Sequence, residues 1–197
     1  MKFIQLVFLF LVSSALAVGL TAQQKINWLS WEEALIQQKN TKKKIVVDVV
    51  TEWCTWCKKM DSSTYLEPHV INFINENYVA IKFDAEQKED IIFNNKIYKL
   101  VTGFGKRKYH ELAFEIMNGK ISYPTLVFLD EDLEVIQPIP GYKDAQTIEM
   151  ILNYFAYNHY KDVPWKKFTQ TFSSPNYQSR TSPKSVQPPV QTVKNRN

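Results

Sequence analysis

Cysteine and histidine are scarce in this chain, and their scarcity limits the metal chemistry open to it. The 197 residues include two cysteines, Cys54 and Cys57, and three histidines that lie far apart along the sequence. A structural zinc site normally needs four protein ligands. Two cysteines without a histidine at a suitable spacing do not supply them, so we expect no metal site.

Long apolar runs are also missing, with one short exception at the N-terminus. Lys2 is followed by an apolar stretch at residues 3–12 and then by small residues at Ala15 and Ala17. A basic start, a short apolar stretch and an A-x-A site are typical of a secretory signal peptide. The stretch is shorter than the roughly 20 residues that a membrane helix needs, and a membrane anchor is the alternative. We predict that residues 1–22 are a cleaved signal peptide and that the mature protein is soluble, in the periplasm or outside the cell.

Acidic residues are absent from the C-terminal end. From Val163 onward the chain has six basic residues and no acidic residue, so residues 1–162 carry 18 basic and 20 acidic side chains. The net charge of +4 therefore belongs to the tail and not to the body, and we expect no nucleic-acid partner, which would need a basic face on the domain itself. The tail is rich in Ser, Thr, Pro and Gln and has few apolar residues to repay the entropy of ordering. We predict a folded domain at 23–162 and a disordered basic tail at 163–197.

Between these ends, short β-branched runs alternate with segments that carry helix-capping signals. The predicted strands are at residues 45–50, 78–84, 125–129 and 134–137, and the predicted helices are at 31–38, from the cysteines to 61, at 68–75, at 110–118 and from 145 to about 159. Strands that alternate with helices imply a sheet covered on both faces. The predicted fold class is therefore α/β.

The segment at residues 87–120 departs from this simple alternation. Apolar runs flank Asn94 and Asn95, and this pair tolerates the positive φ angles of a tight turn, which predicts a β-hairpin. Gly103 and Gly105 lack the spacing of a phosphate-binding loop. We interpret them as part of an ordinary turn.

The chemistry is predicted to lie at Cys54 and Cys57. A C-x-x-C pair at a strand-to-helix junction places the first sulfur at a helix N-terminus, where unpaired N–H groups and the helix dipole stabilise a thiolate. The thiolate is the attacking species in disulfide exchange, and a second cysteine one turn along can attack the mixed disulfide that results. A purely structural disulfide and two inert core thiols are the alternatives, although closing so short a loop gives little stability.

Residues 45–58, with the sequence IVVDVVTEWCTWCK, resemble the strand and active-site motif of the thioredoxin family. The resemblance implies that Cys54 is the nucleophile, that Cys57 resolves the mixed disulfide and that the two form a disulfide when oxidised. It implies that Asp48 is the buried acid that assists proton transfer for Cys57, since a carboxyl group in an apolar strand should have a raised pKa. Trp53 matches the tryptophan that lies beside the sulfurs.

The segment Ser122-Tyr-Pro-Thr125 is similar to the cis-proline loop of the same family. The likeness implies that Tyr123 and Pro124 shape the groove that receives the substrate, and it covers roughly residues 25–159. It implies a three-layer α/β/α sandwich with a central mixed sheet, and a hairpin and helix inserted before the cis-proline strand.

Within the superfamily, the segment from Tyr65 to Asp84, with an extra helix at Pro68 and the strand end Lys82-Phe-Asp84, looks more like the exported branch termed thioredoxin-7 or DUF255-like. A similar module forms the C-terminal domain of the membrane electron-transfer protein that reduces periplasmic disulfides. Two features depart from the family pattern: Thr55-Trp56 stands where Gly-Pro is usual, and the insert at 87–120 exceeds a minimal thioredoxin. The first leaves the direction of electron flow open.

The sequence is interpreted as an exported thiol–disulfide oxidoreductase that reduces protein disulfides without a cofactor. Its expected partners are client proteins with disulfides or thiols and a membrane or soluble protein that supplies electrons, and we expect a monomer. The alternatives are an oxidase or isomerase, or a thioredoxin-fold binding or chaperone-like protein with little redox activity.

Overall fold

A five-stranded mixed sheet forms the centre of the molecule, in the strand order β1-β3-β2-β8-β9. The computed structural model describes residues 24–103 and 108–176, so the predicted signal peptide at 1–22 lies outside the described residues. The strands of this sheet are β1 (Trp28–Leu29), β2 (Lys44–Val50), β3 (Tyr78–Asp84), β8 (Thr125–Leu129) and β9 (Val135–Pro140). Strand β3 runs parallel to β1 and β2, whereas β8 is antiparallel to both β2 and β9.

Strand β2 is the middle of the sheet, and every one of its residues is buried. Its β-branched side chains alternate between the two faces, as the pleat requires. Ile45, Val47 and Val49 belong to the core on one face, and Val46 belongs to the core on the other. A continuous apolar run therefore marks a strand that is covered on both sides.

Helices cover both faces of the sheet, which confirms the predicted α/β/α layering. The helices are α1 (Trp31–Thr41), α2 (Thr55–Asp61), α3 (Pro68–Asn77), α4 (Glu111–Ile116), α5 (Ala145–Ala156), α6 (His159–Asp162) and α7 (Trp165–Thr171), and a 3-10 turn spans Thr64–Leu66. Helices α1 and α4 pack on one face, and α2, α3 and α5 pack on the other. Within the described ranges, no helix combines the length and the apolar character needed to cross a membrane.

The helix starts follow from local capping. Ser30 and Glu33 form a capping box at α1, in which each side chain accepts a hydrogen bond from the other residue's backbone N–H. Pro68 is the first residue of α3, where its missing N–H costs nothing. The Asp144 side chain accepts from the Thr147 N–H and caps α5. These starts agree with the predictions.

The insert contains two hairpins, of which the sequence predicted one. Strands β4 (Ile91–Phe93) and β5 (Lys96–Tyr98) pair across Asn94 and Asn95, both of which have positive φ, as predicted. The second hairpin joins β6 (Leu100–Thr102) to β7 (Lys108–His110). The sequence did not predict the second hairpin, because Lys99 separates β5 from β6 within one apolar run. The Lys99 N–H donates to the Glu111 carboxylate, and the Lys99 carbonyl accepts from the Glu111 N–H. Residues 104–107, which include most of the predicted glycine turn, lie outside the described part of the chain.

The predicted start of the tail at residue 163 is wrong, because residues 163–176 are folded onto the body. Helix α7 buries Phe168, whose ring lies 4.9 Å from that of Tyr154 on α5. Beyond α7, Ser174 Oγ and Asn176 Nδ2 each donate to the buried carboxylate of Glu149 at 2.6 Å. The composition of the segment did not reveal this helix, because a few well-spaced apolar residues in a polar segment suffice to dock about two helical turns. Residues 177–197 lie outside the described residues.

We therefore expect Phe168→Ala to lower the free energy of unfolding by about 3 kcal/mol, because it leaves a cavity between α7 and α5. Lys167→Ala, at an exposed neighbouring position, should change it by less than about 0.5 kcal/mol. Urea unfolding of the three proteins measures the difference. Equal stabilities would show that α7 is not part of the folded unit.

Candidate active site at the Cys54–Cys57 pair

The two cysteines lie where β2 passes into α2. Cys54 is the N-cap of α2 and has extended backbone angles, and Cys57 lies in the first turn of the helix. Their sulfurs form a disulfide. The Cys57 N–H also points to the Cys54 sulfur, with 3.1 Å between the two atoms. The first turn of α2 thus contributes two groups. The Cys57 N–H donates a hydrogen bond to the Cys54 sulfur, and the Cys57 sulfur is bonded to it.

The disulfide packs against a small apolar cluster that links three segments. Val50 from the end of β2 and Tyr123 from the loop before β8 contact the cysteines. Cys54 is 5% exposed and Cys57 is 3% exposed. The pair is therefore buried, with Tyr123 packed against its cluster.

Asp48 is completely buried in the middle of β2. Because side chains alternate along a strand, Asp48 shares a face with Val50, which belongs to the same buried cluster as both cysteines. The carboxylate therefore lies on the face of the sheet that α2 covers. Burial raises the pKa of Asp48, although the positive charge of Lys82 opposes this effect.

Lys82 is the charged partner of Asp48, and the sequence analysis did not identify it. It stands directly opposite Asp48 in the parallel register of β2 and β3, and its Nζ donates to Asp48 Oδ2 at 2.7 Å. The Tyr65 phenol is buried nearby, and its pKa is raised well above the usual value by burial and by the charge of Asp48. A buried carboxylate with one cationic partner and a raised pKa is suited to accept and release a proton.

Tyr123, which precedes Pro124, packs against the buried cluster that contains the disulfide. The peptide bond between Tyr123 and Pro124 is cis, and the Pro124 carbonyl accepts a hydrogen bond of 2.8 Å from the Gly141 N–H. The Trp53 ring lies edge-on to Tyr123 at 5.7 Å and is 63% exposed, and its Nε1 donates to Glu86. The structure thus brings Trp53 and Tyr123 together next to the disulfide.

A second aromatic pair, Trp56 and Tyr142, was not predicted as part of the site. Trp56, between the cysteines, is 55% exposed, and its ring lies 5.5 Å from that of Tyr142. Lys59 Nζ lies 5.4 Å from the Trp56 ring and 5.7 Å from the Tyr142 ring. The sequence could have indicated Trp56 as a site residue, since it stands where proline is usual. Nothing in the sequence indicated Tyr142, which lies in the segment between β9 and α5.

Metal binding finds no support in the part of the chain that the structure describes. Among residues 24–103 and 108–176, no three His, Cys, Asp or Glu side chains are grouped so that they could hold an ion. The cysteines are bonded to each other instead.

Comparison with known proteins places this site in a family. The family model Thioredox_DsbH, described as "Protein of unknown function, DUF255", matches residues 13–152. An uncharacterized protein of Caenorhabditis elegans is 30% identical over 122 residues, which are 61% of this chain and 14% of that protein. Spermatogenesis-associated protein 20 of Rattus norvegicus is 28% identical over 78 residues, which are 39% of this chain and 10% of that protein. The chain thus spans a small part of the length of these relatives.

Solved structures agree on the fold. A thioredoxin-fold protein from Helicobacter pylori has a TM-score of 0.50 at 16% identity, over 66% of this chain and 79% of that protein. A thioredoxin from Thermus thermophilus has the same TM-score of 0.50 at 17% identity, over 66% of this chain and 87% of its own. At these identities the likeness establishes the fold alone.

The raised pKa of Asp48 predicts a pH-dependent cost of stability. A carboxyl group whose pKa is raised by folding contributes stability below its ordinary pKa, and that contribution is lost as the pH rises through the folded-state value. Asp48→Asn does not titrate, and Lys82 keeps Asp61 as a partner. We therefore expect the variant to gain stability relative to the wild type as the pH rises from acid to neutral, by about 1.4 kcal/mol for each unit by which the pKa is raised.

Urea unfolding of the oxidised proteins at acid and neutral pH measures this difference. The exposed Glu76→Gln is the matched control and should show no such pH dependence. A stability difference between Asp48→Asn and the wild type that is constant with pH would contradict the assignment of a raised pKa.

Proposed function

This chain belongs to the Thioredox_DsbH family, and we propose that it is a thiol–disulfide oxidoreductase in which Cys54 and Cys57 cycle between a dithiol and a disulfide. The observation that carries the proposal is the disulfide itself. It joins the first turn of α2 to its N-cap, and the buried carboxylate of Asp48 lies on the face of the sheet below. A disulfide that closes so short a loop adds little stability, so a structural role is a poor explanation for it.

In the proposed reaction, Cys54 is the attacking residue. Its thiolate accepts the Cys57 N–H, which stabilises the negative charge. It attacks one sulfur of a client disulfide, so that a Cys54–client bond forms while the client S–S bond breaks. The second client sulfur leaves as a thiolate and takes a proton from the solvent.

Cys57 completes the exchange. Its proton passes to Asp48, and the resulting thiolate attacks the Cys54 sulfur, which forms the Cys54–Cys57 disulfide and breaks the bond to the client. The client's first sulfur leaves as a thiolate and is protonated in turn. Two electrons pass from the pair to the client, and no cofactor takes part.

We propose that the protein acts as a reductase outside the cytoplasm. The N-terminal pattern at residues 1–22 supports export, and a cysteine pair that forms a disulfide suits an oxidising compartment. In that setting the oxidised pair has to be reduced again by a second protein, membrane-bound or soluble, that supplies electrons. The client proteins are those that carry disulfides, and we propose that the enzyme is a monomer.

The client surface is proposed to consist of the two aromatic pairs and the Pro124 loop. Trp53, next to Cys54, pairs with Tyr123, and Trp56, between the cysteines, pairs with Tyr142. Exposed aromatic rings are unusual on a surface that binds nothing, and they are enriched where proteins contact partners. An extended client segment that brings its cysteine to Cys54 would lie between the two pairs.

The assignment of roles predicts different behaviour for the two single cysteine variants. Cys57→Ser keeps the nucleophile but cannot resolve the mixed disulfide, so clients should accumulate as covalent adducts that reducing agent releases. Cys54→Ser should trap at least about tenfold less, because Cys57 lies inside the helix. Non-reducing gels of cells that express each variant measure the adducts. Equal trapping by both variants, or trapping by neither, would refute the roles.

The aromatic surface predicts a substrate-dependent effect of Trp56→Ala. We expect KM for a protein disulfide to rise about three- to tenfold, as for the loss of one exposed aromatic contact of about 1 kcal/mol. The rate with a small disulfide such as oxidised glutathione should change less than twofold. Ile36→Ala, an exposed apolar residue on α1, is the control and should alter neither. An equal effect of Trp56→Ala on both substrates would show that Trp56 acts on the sulfurs and not on the client.

A further inference from the structure

Resting on this proposed function, we propose that Asp61 is a positioning residue for the resolving step: through Lys82, it holds Asp48 ready to accept the proton of Cys57. Asp61 takes no part in the reaction described above. Its role follows from the Lys82 ammonium group, which Asp61 shares with Asp48.

The geometry of the shared ammonium is asymmetric. Lys82 Nζ donates to Asp48 Oδ2 at 2.7 Å and makes a close ion pair with Asp61 Oδ1. The side chain of Asp48 is 1% exposed, that of Lys82 is 26% exposed and that of Asp61 is 47% exposed. The three groups therefore form a line from the buried face of the sheet to the solvent.

Asp61 is also tied to the redox pair through its helix. It is the last residue of α2 and lies one turn beyond Cys57, at the i+4 position on the same side of the helix. Lys82 and Asp48 lie on the neighbouring strands β3 and β2. The ion pair between Asp61 and Lys82 therefore fixes the end of the cysteine helix over the Asp48 carboxylate.

Two aromatic rings keep the ammonium in place. Lys82 Nζ lies 5.1 Å from the centre of the Trp28 ring and 5.0 Å from that of Tyr65. Both distances are within the range of cation–π attraction, which favours the charged form. Burial lowers the pKa of Lys82, but the two carboxylates outweigh this effect and the pKa is raised overall.

The charges around Asp48 set its strength as a base. The groups that act on it are Lys82 from β3, Asp61 from α2 and Tyr65 from the 3-10 turn. Burial raises the pKa of Asp48, Lys82 lowers it, and the negative charge of Asp61 raises it. Asp61 thus counteracts Lys82 in two ways, since it also draws the same ammonium toward the solvent side.

Removal of the Asp61 charge and removal of the Lys82 charge should therefore shift the pKa of Asp48, and with it the pH dependence of the resolving step, in opposite directions. Without the charge of Asp61, the full charge of Lys82 acts on Asp48, whose pKa falls, and a weaker base accepts the Cys57 proton more slowly. Without Lys82, the pKa of Asp48 rises. If Asp61 only stabilised the helix, Asp61→Asn and Lys82→Met would slow the resolving step alike. The midpoint of its pH profile would then be the same as in the wild type.

The experiment follows the resolving step alone. A mixed disulfide between Cys54 and glutathione is prepared from the Cys57 thiol form at acid pH, and release of glutathione is timed after a jump to each pH. For Asp61→Asn we expect the midpoint of the acid limb to move to lower pH and the plateau rate to fall about two- to fivefold. For Lys82→Met we expect the midpoint to move to higher pH. Asp61→Glu, which keeps the charge, should restore the wild-type midpoint.

Glu52→Gln is the matched control, because Glu52 is an exposed carboxylate two residues before Cys54. It should leave the midpoint unchanged. Unchanged midpoints in Asp61→Asn, or equal shifts in Asp61→Asn and Glu52→Gln, would overturn the inference while the proposed function stands. Failure of the wild type to release glutathione at any pH would instead refute the proposed function. Asp61 is exposed, so its variants decide the question even if Lys82→Met does not fold.

Discussion

The ion pair between Asp48 and Lys82 is the constraint on which the rest of the site depends. A carboxylate in the central strand of a valine-rich sheet is costly to bury, and removing water from a charge pair can cost more than the pair returns. The register of β2 and β3 places the two residues directly opposite each other. Val50, at the end of the same strand, belongs to the buried cluster of the two cysteines, so the charge pair and the sulfurs lie toward the same end of β2.

The first turn of α2 and the central sheet contribute different groups to the site. The helix turn supplies the sulfurs and the N–H that contacts Cys54, and the sheet supplies the buried carboxylate of Asp48, which is paired with Lys82. Groups whose environments shift their pKa values cluster at reactive sites more often than in structural cores. Burial of the Asp48 carboxylate costs free energy without an evident gain in stability, which is consistent with a catalytic role.

The sequence predicted the parts of this picture that depend on local pattern. The strand at 45–50, the helix after the cysteines and the hairpin at Asn94 and Asn95 are all present, because β-branching, capping and turn chemistry act over a few residues. The α/β/α layering followed from the order of these elements. Asp48 was identified by the resemblance to the thioredoxin motif, and its place as a single acid in an apolar strand agreed with that.

The partners of Asp48 were not predictable in the same way. Lys82 is 34 residues away along the chain, and only the register of β3 against β2 makes it a neighbour. Asp61 carried no signal of its own, since an acidic residue at the end of a helix usually faces water. Tyr142 and helix α7 were missed for related reasons: an aromatic residue on a loop and a sparse apolar stripe in a polar segment acquire meaning only from what they pack against.

The central claim is that the Cys54–Cys57 disulfide is reversible under physiological conditions. The most direct test is its reduction potential, measured by equilibration of the purified protein with thiol–disulfide buffers. The account predicts a value between about −270 and −120 mV, the range of thioredoxin-fold oxidoreductases, and a reductase should lie near the lower end. A value below about −300 mV, which is typical of structural disulfides, would contradict it.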